Sequence, residues 1–473
     1  MNFHRYFSAD RPPVETCIVG TGGFGRSFLA QGLRVPKMRA RVAIDREAEI
    51  AAASLRAVGV EPRRIHVCTS AAQAKAAYDA GDFIAAADLA TVLDLPFEVV
   101  VEATGHPEAG ARHARLAIEA DRHLAIVSKE VDSVIGPGLA RLAAQRGRVV
   151  TPVDGDQPSL LIGLITWAET LGLEIIAAGK SSEYDFVFDA ASGLVTSNGR
   201  TVSAPAFADA WILGDRPVAD IVAARAEVAA ALPQRAVPDM CELLVVANAT
   251  GFSPDRPDLH APIARIPEVP TVLAERGEGG LIAGTRRLDV FHCLRAPDEA
   301  SFAGGVFALV RCSDRASWEM LAEKGHPVSR TGSTAMVYIP RHLLGIEAAT
   351  SVLEAALLGV SSGGLAPRPH LDLVARATRD LPAGSVLDMG GHHHTIEGLE
   401  AELVPGAPLR DDAPAPFYLA ANCRLARSVA RGQAISFGDL DIPAGSELLA
   451  LRQRQDALFF GAPAHADKVP EPL

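Results

Sequence analysis

Aromatic residues are scarce, 5% of a 473-residue chain. The core cannot be built round ring clusters, so the 48% apolar fraction must come mostly from Ala, Val, Leu and Ile, the usual filling of α/β layers. Positive charge is also short, since 45 Lys and Arg against 57 Asp and Glu leave a net charge of -12. That excludes a broad nucleic-acid footprint, because phosphate backbones are held by basic faces. A phosphorylated small substrate needs only a few local arginines and stays open. The cysteines Cys17, Cys68, Cys241, Cys293, Cys312 and Cys423 show no CxxC or other metal-ligand spacing, and read as reduced thiols of a cytoplasmic protein. No apolar run reaches membrane-spanning length, and "MNFHRYFSADRPP" has no basic segment followed by an apolar one. The expectation is a cytosolic chain of about two to three domains with no nucleic-acid or membrane partner.

What is present starts at Val14. "VETCIVGTGGFGRSFLAQGL" is an apolar strand, a glycine-rich turn and an amphipathic helix in succession. Strands at "RARVAIDRE", "FEVVVEAT", "HLAIVSKE" and "GRVVTPVD", separated by Ala-rich helical stretches, imply an α/β fold with a doubly wound, Rossmann-type parallel sheet over residues 1–158. The segment 46–93 reads as a helical insertion. From 159 to 365 the pattern becomes α+β, a catalytic and dimerisation domain. Within it the helical run 341–359 has the composition to pack back on the first domain. Turn-rich "GVSSGGLAPRPH" then leads to a small β-rich module, 366–473, where "LVARATRDLPAGSVLDM" and "CRLARSVARGQAISFGDL" form a weak internal repeat.

The Gly20-Thr21-Gly22-Gly23-Phe24-Gly25 turn has the G-x-G-x-x-G spacing between strand and helix. Glycine there permits a tight turn and lets a pyrophosphate approach the helix N-terminus. Asp45 falls at the end of the second strand, where an acid can hold the adenosine ribose, and Arg46 beside it can hold the extra phosphate of NADP. NADPH and NAD are both compatible. Ala103, Thr104 and Gly105 follow a further strand, where the nicotinamide-side ribose and phosphate would pass. Lys129 lies at the same sheet edge as a candidate oxyanion or cofactor contact, with a solvated loop lysine as the plain alternative.

"VVTPVDGDQPSLL" places Asp154 and Asp156 after the next strand of that edge. Two carboxylates there suit a hard divalent cation completed by substrate oxygens and water. Equally, Asp156 ahead of Gln157-Pro158 suits a helix cap. In the second domain Lys180 and Glu183, in "AAGKSSEYDF", end a strand; Lys180 could assist an oxyanion or a proton, or form a surface ion pair. Arg286, Arg287 and Arg330 are further phosphate-binding candidates, and loop chemistry explains them as well. His392-His393-His394 is no obvious metal cluster, because neighbouring side chains of a strand point alternately.

"VSKEVDS" and "TPVDGDQPSLL" together resemble paired motifs of 1-deoxy-D-xylulose 5-phosphate reductoisomerase. On that resemblance Lys129 matches the motif lysine, and Asp154 and Asp156 match two carboxylate metal ligands, with Asp in place of Glu at the second. That enzyme's tryptophan-bearing loop and third carboxylate segment have no counterpart. Over nearly its full length, through "GTGGFG", "VEATG", "GKSSEYDFVFD" and "ATRDLPAGSVL", the chain is similar to the reductoisomerase-like family known as DRL. These proteins join a homoserine-dehydrogenase-like oxidoreductase to a C-terminal SAF domain.

The resemblance implies an NADPH-dependent reductoisomerase that converts 1-deoxy-D-xylulose 5-phosphate to 2-C-methyl-D-erythritol 4-phosphate in isoprenoid precursor synthesis. Mn or Mg would sit on Asp154 and Asp156, Lys180 would assist, and Glu183 would be a further ligand. The alternative is a metal-independent NAD(P) dehydrogenase acting on another hydroxy acid, sugar or polyol derivative. A homodimer is the expected assembly.

Overall fold

The computed structural model describes residues 2–390 and 394–461. Its contacts divide the chain into two compact units. One takes in the described residues up to Ser159 and those from Leu343 onward, and the other is Leu160–His342.

After a single helical turn, Phe3–Tyr6 (α1), the first unit is built on a seven-stranded sheet. Its elements are β1 Val14–Val19, α2 Gly23–Gly32, β2 Met38–Ile44, α3 Ala48–Ala57, β3 Ile65–Val67, α4 Ala71–Asp79 and β4 Phe83–Ala86. They continue as β5 Val99–Glu102, α5 Pro107–Glu119, β6 His123–Ile126, α6 Lys129–Gln145 and β7 Val150–Pro152. The strands lie in the order β3-β4-β2-β1-β5-β6-β7, and every pair is parallel. Interior strands β4 and β5 are buried at every position, as a sheet covered on both faces requires. The order runs outward in opposite directions from β1 and β5, so the switch point falls beside the glycine turn.

The segment 46–93 is not a helical insertion. It supplies β3 and β4, two strands of the sheet itself. Runs of three and four residues are too short for periodicity to reveal, and the Ala-rich helices around them dominate the composition.

The helix-forming run 341–359 joins the same core. Ala348, Val352 and Leu353 are buried among Ile18, Phe28, Leu29 and Leu55. Burying Val352 and Leu353 stabilises by roughly 1.5–3 kcal/mol each, far more than the weak helix preference of so short a segment. Beyond it, Leu371–Ala377 pairs antiparallel with Leu399–Pro405. The two repeat-like phrases face one another through Leu381 with Val429 and Val386 with Arg424.

The C-terminal helix Glu447–Phe460 closes on α5 and α6 of the parallel-sheet layer. Arg115 forks onto Glu447 at 2.7 and 2.9 Å. Gln455 spans Pro137, a residue that breaks the α6 ladder because it has no N–H. Its Nε2 donates to the Val134 carbonyl at 3.1 Å, and its Oε1 accepts from the Gly138 N–H at 2.8 Å. Arg452 is fully buried, held by Asp372 at 2.6 and 2.8 Å and by Asp456 at 2.8 Å.

α7, Gln157–Thr170, carries the chain into the second unit. There a mixed nine-stranded sheet is formed by β8 Ile175–Ser181, β9 Phe186–Asp189, β10 Leu194–Ser197, β11 Arg200–Ser203, β12 Ser253–Pro254, β13 Ile263–Ala264, β14 Arg287–Arg295, β15 Val306–Arg311 and β16 Thr334–Ile339. Helices α8 Val218–Val228 and α9 Val237–Thr250 belong to this unit. Phe291, Phe302 and Phe307 are fully buried in its core. Among the described residues no helix is long and apolar enough to cross a membrane, and none of the six cysteines is in a disulfide.

Candidate functional site

The C-terminal edge of the parallel sheet gathers the loops after β1, β2, β5, β6 and β7. At the turn after β1, Gly20 has φ +92°, and a Cβ there would stand 2.5 Å from the Ala103 carbonyl oxygen. A Cβ on Gly25 would run into the Gly20 carbonyl. Gly22 and Gly23, at the cap and first residue of α2, are different: apart from adjacent residues and the helix's own backbone, nothing lies within 4 Å of a Cβ placed on either. Two glycines therefore shape the turn, and two leave open space over a helix N-terminus. That is the cradle a pyrophosphate needs, so the residues present fit a dinucleotide.

Thr21 and Asp45 fix the two sides of this turn. The Thr21 N–H and hydroxyl donate to Asp45 Oδ2 at 2.8 and 2.6 Å. The Arg46 N–H donates to Asp45 Oδ1 at 2.9 Å, and the Arg46 side chain is exposed. Phe24 packs against the first unit's core. Ala103, Thr104 and Gly105 lie across the turn. Thr104 donates from its hydroxyl to buried Glu102 at 2.6 Å, and the Gly105 N–H donates to Ser128 Oγ at 2.8 Å.

Lys129 and Asp156, twenty-seven residues apart, meet at 3.3 Å. The N–H of Gln157, the first residue of α7, donates to Asp156 Oδ1 at 2.9 Å. Asp154 accepts from the Ser159 hydroxyl and, at 2.6 Å, from the Thr350 hydroxyl. Its N–H donates to Ser351 Oγ at 2.8 Å. Glu354, which takes the Ser362 hydroxyl at 2.8 Å, is raised above the ordinary carboxyl range by burial and by the charge of Asp154. Burial and the charge of Asp156 push Asp132 up to about 7. Acids thus crowd this edge, and Lys129 is the cation paired with Asp156.

Asp154 and Asp156 do not by themselves close a cation centre. Asp154 is engaged by hydroxyls and Asp156 by Lys129 and a backbone amide. Among the described residues no three His, Cys, Asp or Glu side chains gather round one point.

In the second unit, Lys180 is buried in β8. Its ammonium lies 2.7 Å from Asp239 and is also paired with Glu242. Burial works to lower its pKa, but the two carboxylates outweigh that and hold it above the ordinary lysine range. It is a buried ion triad, so the surface-pair alternative does not apply. Asp239 and Glu242 come from α9, some sixty residues away, and no local pattern marked them. Glu183 is half-buried in the turn after β8. The loop arginines are largely committed to main chain: Arg286 to the Thr250 carbonyl and Glu169, Arg287 to the Ala283 carbonyl, and Arg330 to the Gly214 and Arg216 carbonyls. His392 and His393 lie outside the described residues.

Residues 236–348, less than a quarter of the chain, match the family described as "Oxidoreductase DRL, catalytic domain". No curated protein matches. Among solved structures the chain is similar to an oxidoreductase from Bacillus cereus, 12% identical, covering 73% of this chain and 90% of that one at a TM-score of 0.33. It is also similar to a DOX-P reductoisomerase solved with fosmidomycin and magnesium, 18% identical, covering 36% and 46% at 0.26. A third is biliverdin reductase from Synechocystis in complex with biliverdin and NADP+, 18% identical, covering 37% and 48% at 0.21. The class that the parallel sheet and the catalytic-domain match define is that of an oxidoreductase.

Proposed function

We propose that the chain is an NAD(P)-dependent oxidoreductase whose nucleotide lies on the Gly20–Gly25 turn. One observation carries this reading: Gly20 and Gly25 have no room for a side chain, whereas Gly22 and Gly23 open onto the N-terminus of α2. The bound nicotinamide would exchange hydride with a substrate carbon. The chain's own part is to cradle the phosphates, hold the adenosine ribose at Asp45 and carry the nicotinamide-side ribose and phosphate past Ala103, Thr104 and Gly105, with Lys129 as an oxyanion or cofactor contact.

For the reaction, the finer proposal is the reductoisomerase conversion of 1-deoxy-D-xylulose 5-phosphate to 2-C-methyl-D-erythritol 4-phosphate with NADPH and Mn or Mg. What supports it is the sequence resemblance, together with the position of Lys129, Asp154 and Asp156 at one sheet edge. The second reading, a metal-independent dehydrogenase of a hydroxy acid, sugar or polyol derivative, is favoured by the internal partners of Asp154 and Asp156.

The same proposal takes 1–158 as the nucleotide domain, 159–365 as the catalytic and dimerisation domain and 366–473 as SAF-like. It places the protein in the cytosol as a homodimer. The test mixes purified protein with deoxyxylulose phosphate, NADPH and manganese, and follows absorbance at the reduced nicotinamide. Turnover abolished by EDTA supports the reductoisomerase. Absence of turnover there, with EDTA-resistant oxidation of another alcohol by NAD(P), supports the dehydrogenase. No nucleotide binding at all rejects both.

A further inference from the structure

His394 belongs to the C-terminal module, yet its imidazole lies on the cofactor edge of the first unit. It sits on a short hairpin in which Met389–Gly390 pairs with Thr395–Ile396. Its own backbone is left-handed, φ +47°, uncommon for a histidine. The imidazole Nδ1 is 2.6 Å from Glu130 Oε1, across 264 residues of sequence. A Cβ added to Gly105 would run into the ring, with Nδ1 at 3.0 Å and Nε2 at 3.2 Å. Gly105 follows Ala103 and Thr104, the residues against which Gly20 of the nucleotide turn is pressed. A continuous line of contacts therefore runs from the glycine turn through the 103–105 loop to His394, Glu130 and Lys129.

The chemistry of the pair gives the ring a direction. An ionised Glu130 can only accept, so Nδ1 carries the proton of that hydrogen bond. The hydrogen bond to Glu130 raises the imidazole above its ordinary range, against burial and the charge of Lys129. When the ring is charged, Nε2 is also a donor. Among the described residues Nε2 has no hydrogen-bond partner. Glu130, itself buried at the start of α6, fixes the ring but cannot contribute a donor.

We propose that His394 is a cofactor-binding residue, positioned by Glu130 to donate from Nε2 to the nicotinamide-side ribose-phosphate of NAD(P), so that the C-terminal module completes the nucleotide site. The proposal rests on the reading of the Gly20–Gly25 turn as the dinucleotide site. It gives the β-rich module a role in cofactor binding, which covering the sheet alone would not.

The test measures dissociation constants by titration calorimetry for the tighter-binding of NADPH and NADH and for its adenosine-half fragment, 2′,5′-ADP or 5′-AMP. Wild type, His394→Ala, His394→Gln and Glu130→Gln are compared, with melting curves to verify folding. His394→Ala is expected to weaken the dinucleotide about 10-fold, the size of one charge-assisted hydrogen bond, and to leave the fragment unchanged. His394→Gln, which keeps a donor, should recover part of the loss, and Glu130→Gln should weaken only the dinucleotide. Equal affinities in wild type and His394→Ala overturn the proposal, as does equal weakening of dinucleotide and fragment. If wild type binds neither ligand, the dinucleotide reading itself fails, a result distinct from either of those.

Discussion

Asp45 Oδ2 receives both the N–H and the hydroxyl of Thr21, at 2.8 and 2.6 Å. This ties the end of β2 to the first turn residue and holds an acid beside the cradle, with the exposed Arg46 next to it. A 2′-phosphate held by Arg46 would offset the repulsion of Asp45. Arg46→Ala should therefore lower the preference for NADPH over NADH by about 10-fold, one charged contact's worth. Parallel binding titrations with the two nucleotides read this directly, and an unchanged ratio removes Arg46 from the site.

The four glycines of the turn should separate into two kinds. Gly22→Ala meets nothing apart from adjacent residues and the helix's own backbone, so its melting temperature should stay within about 2 °C of wild type. The methyl occupies the cradle, and nucleotide affinity should drop by about 10-fold or more. Gly25→Ala collides with the Gly20 carbonyl and should cost about 1–3 kcal/mol of stability as well as binding. Calorimetric melts and nucleotide titrations on both variants would show the split.

Asp132 predicts a pH dependence of stability. Its carboxyl is pushed up to about 7 by burial and by Asp156, so the folded state holds a proton that the unfolded state releases near pH 4. The favourable contribution is complete below about pH 4 and is lost as pH rises towards about 7. Asp132→Asn, which cannot ionise, should gain stability relative to wild type at pH 8, by about 1 kcal/mol or more. At pH 4 the two should differ little. Urea midpoints at the two pH values test it, and an equal shift at both would show that ionisation is not the cause.

Removing Lys180 leaves Asp239 and Glu242 as buried carboxylates without their cation. Lys180→Met should destabilise the protein by about 3–5 kcal/mol. Replacing all three by apolar residues should recover much of that loss, since an ion triad taken out whole leaves no orphaned charge. Denaturant unfolding monitored by the intrinsic fluorescence of the second unit would measure both. A single variant as stable as wild type would mean the triad carries no structural load.

Gln455 provides a test of how the C-terminal helix is held. Its amide serves the Val134 carbonyl and the Gly138 N–H on either side of Pro137. Gln455→Leu buries both groups without partners and should cost about 2–4 kcal/mol. Gln455→Glu keeps the acceptor but places a carboxylate against the Val134 carbonyl, so it should be destabilising above pH 5 and milder in acid. Thermal melts across that range distinguish lost packing from lost hydrogen bonds.

Features encoded within about thirty residues were legible in the chain. The glycine turn, its strand and helix, Asp45 and the alternation of strands and helices after Phe97 are local patterns, and the parallel sheet realises them. The helical run 341–359 carried the composition that places it in the first unit's core. By contrast, β3 and β4 are too short to show a period, and became strands only because β2 offers an edge to pair with. Asp154 and Asp156 were recognisable as paired acids, but their hydroxyl, lysine and amide partners were not.

The sequence by itself determined the strands around the glycine turn and the turn itself, because steric freedom at glycine and apolar periodicity act between near neighbours. Only the tertiary structure decided what surrounds them. The approach of His394 to Gly105 and Glu130, the burial of Lys180 between Asp239 and Glu242, and the insertion of Gln455 beside Pro137 join residues from roughly sixty to more than three hundred positions apart. Such pairs leave no mark in any local stretch, because their energies come from burial and geometry that exist only once the chain has closed on itself.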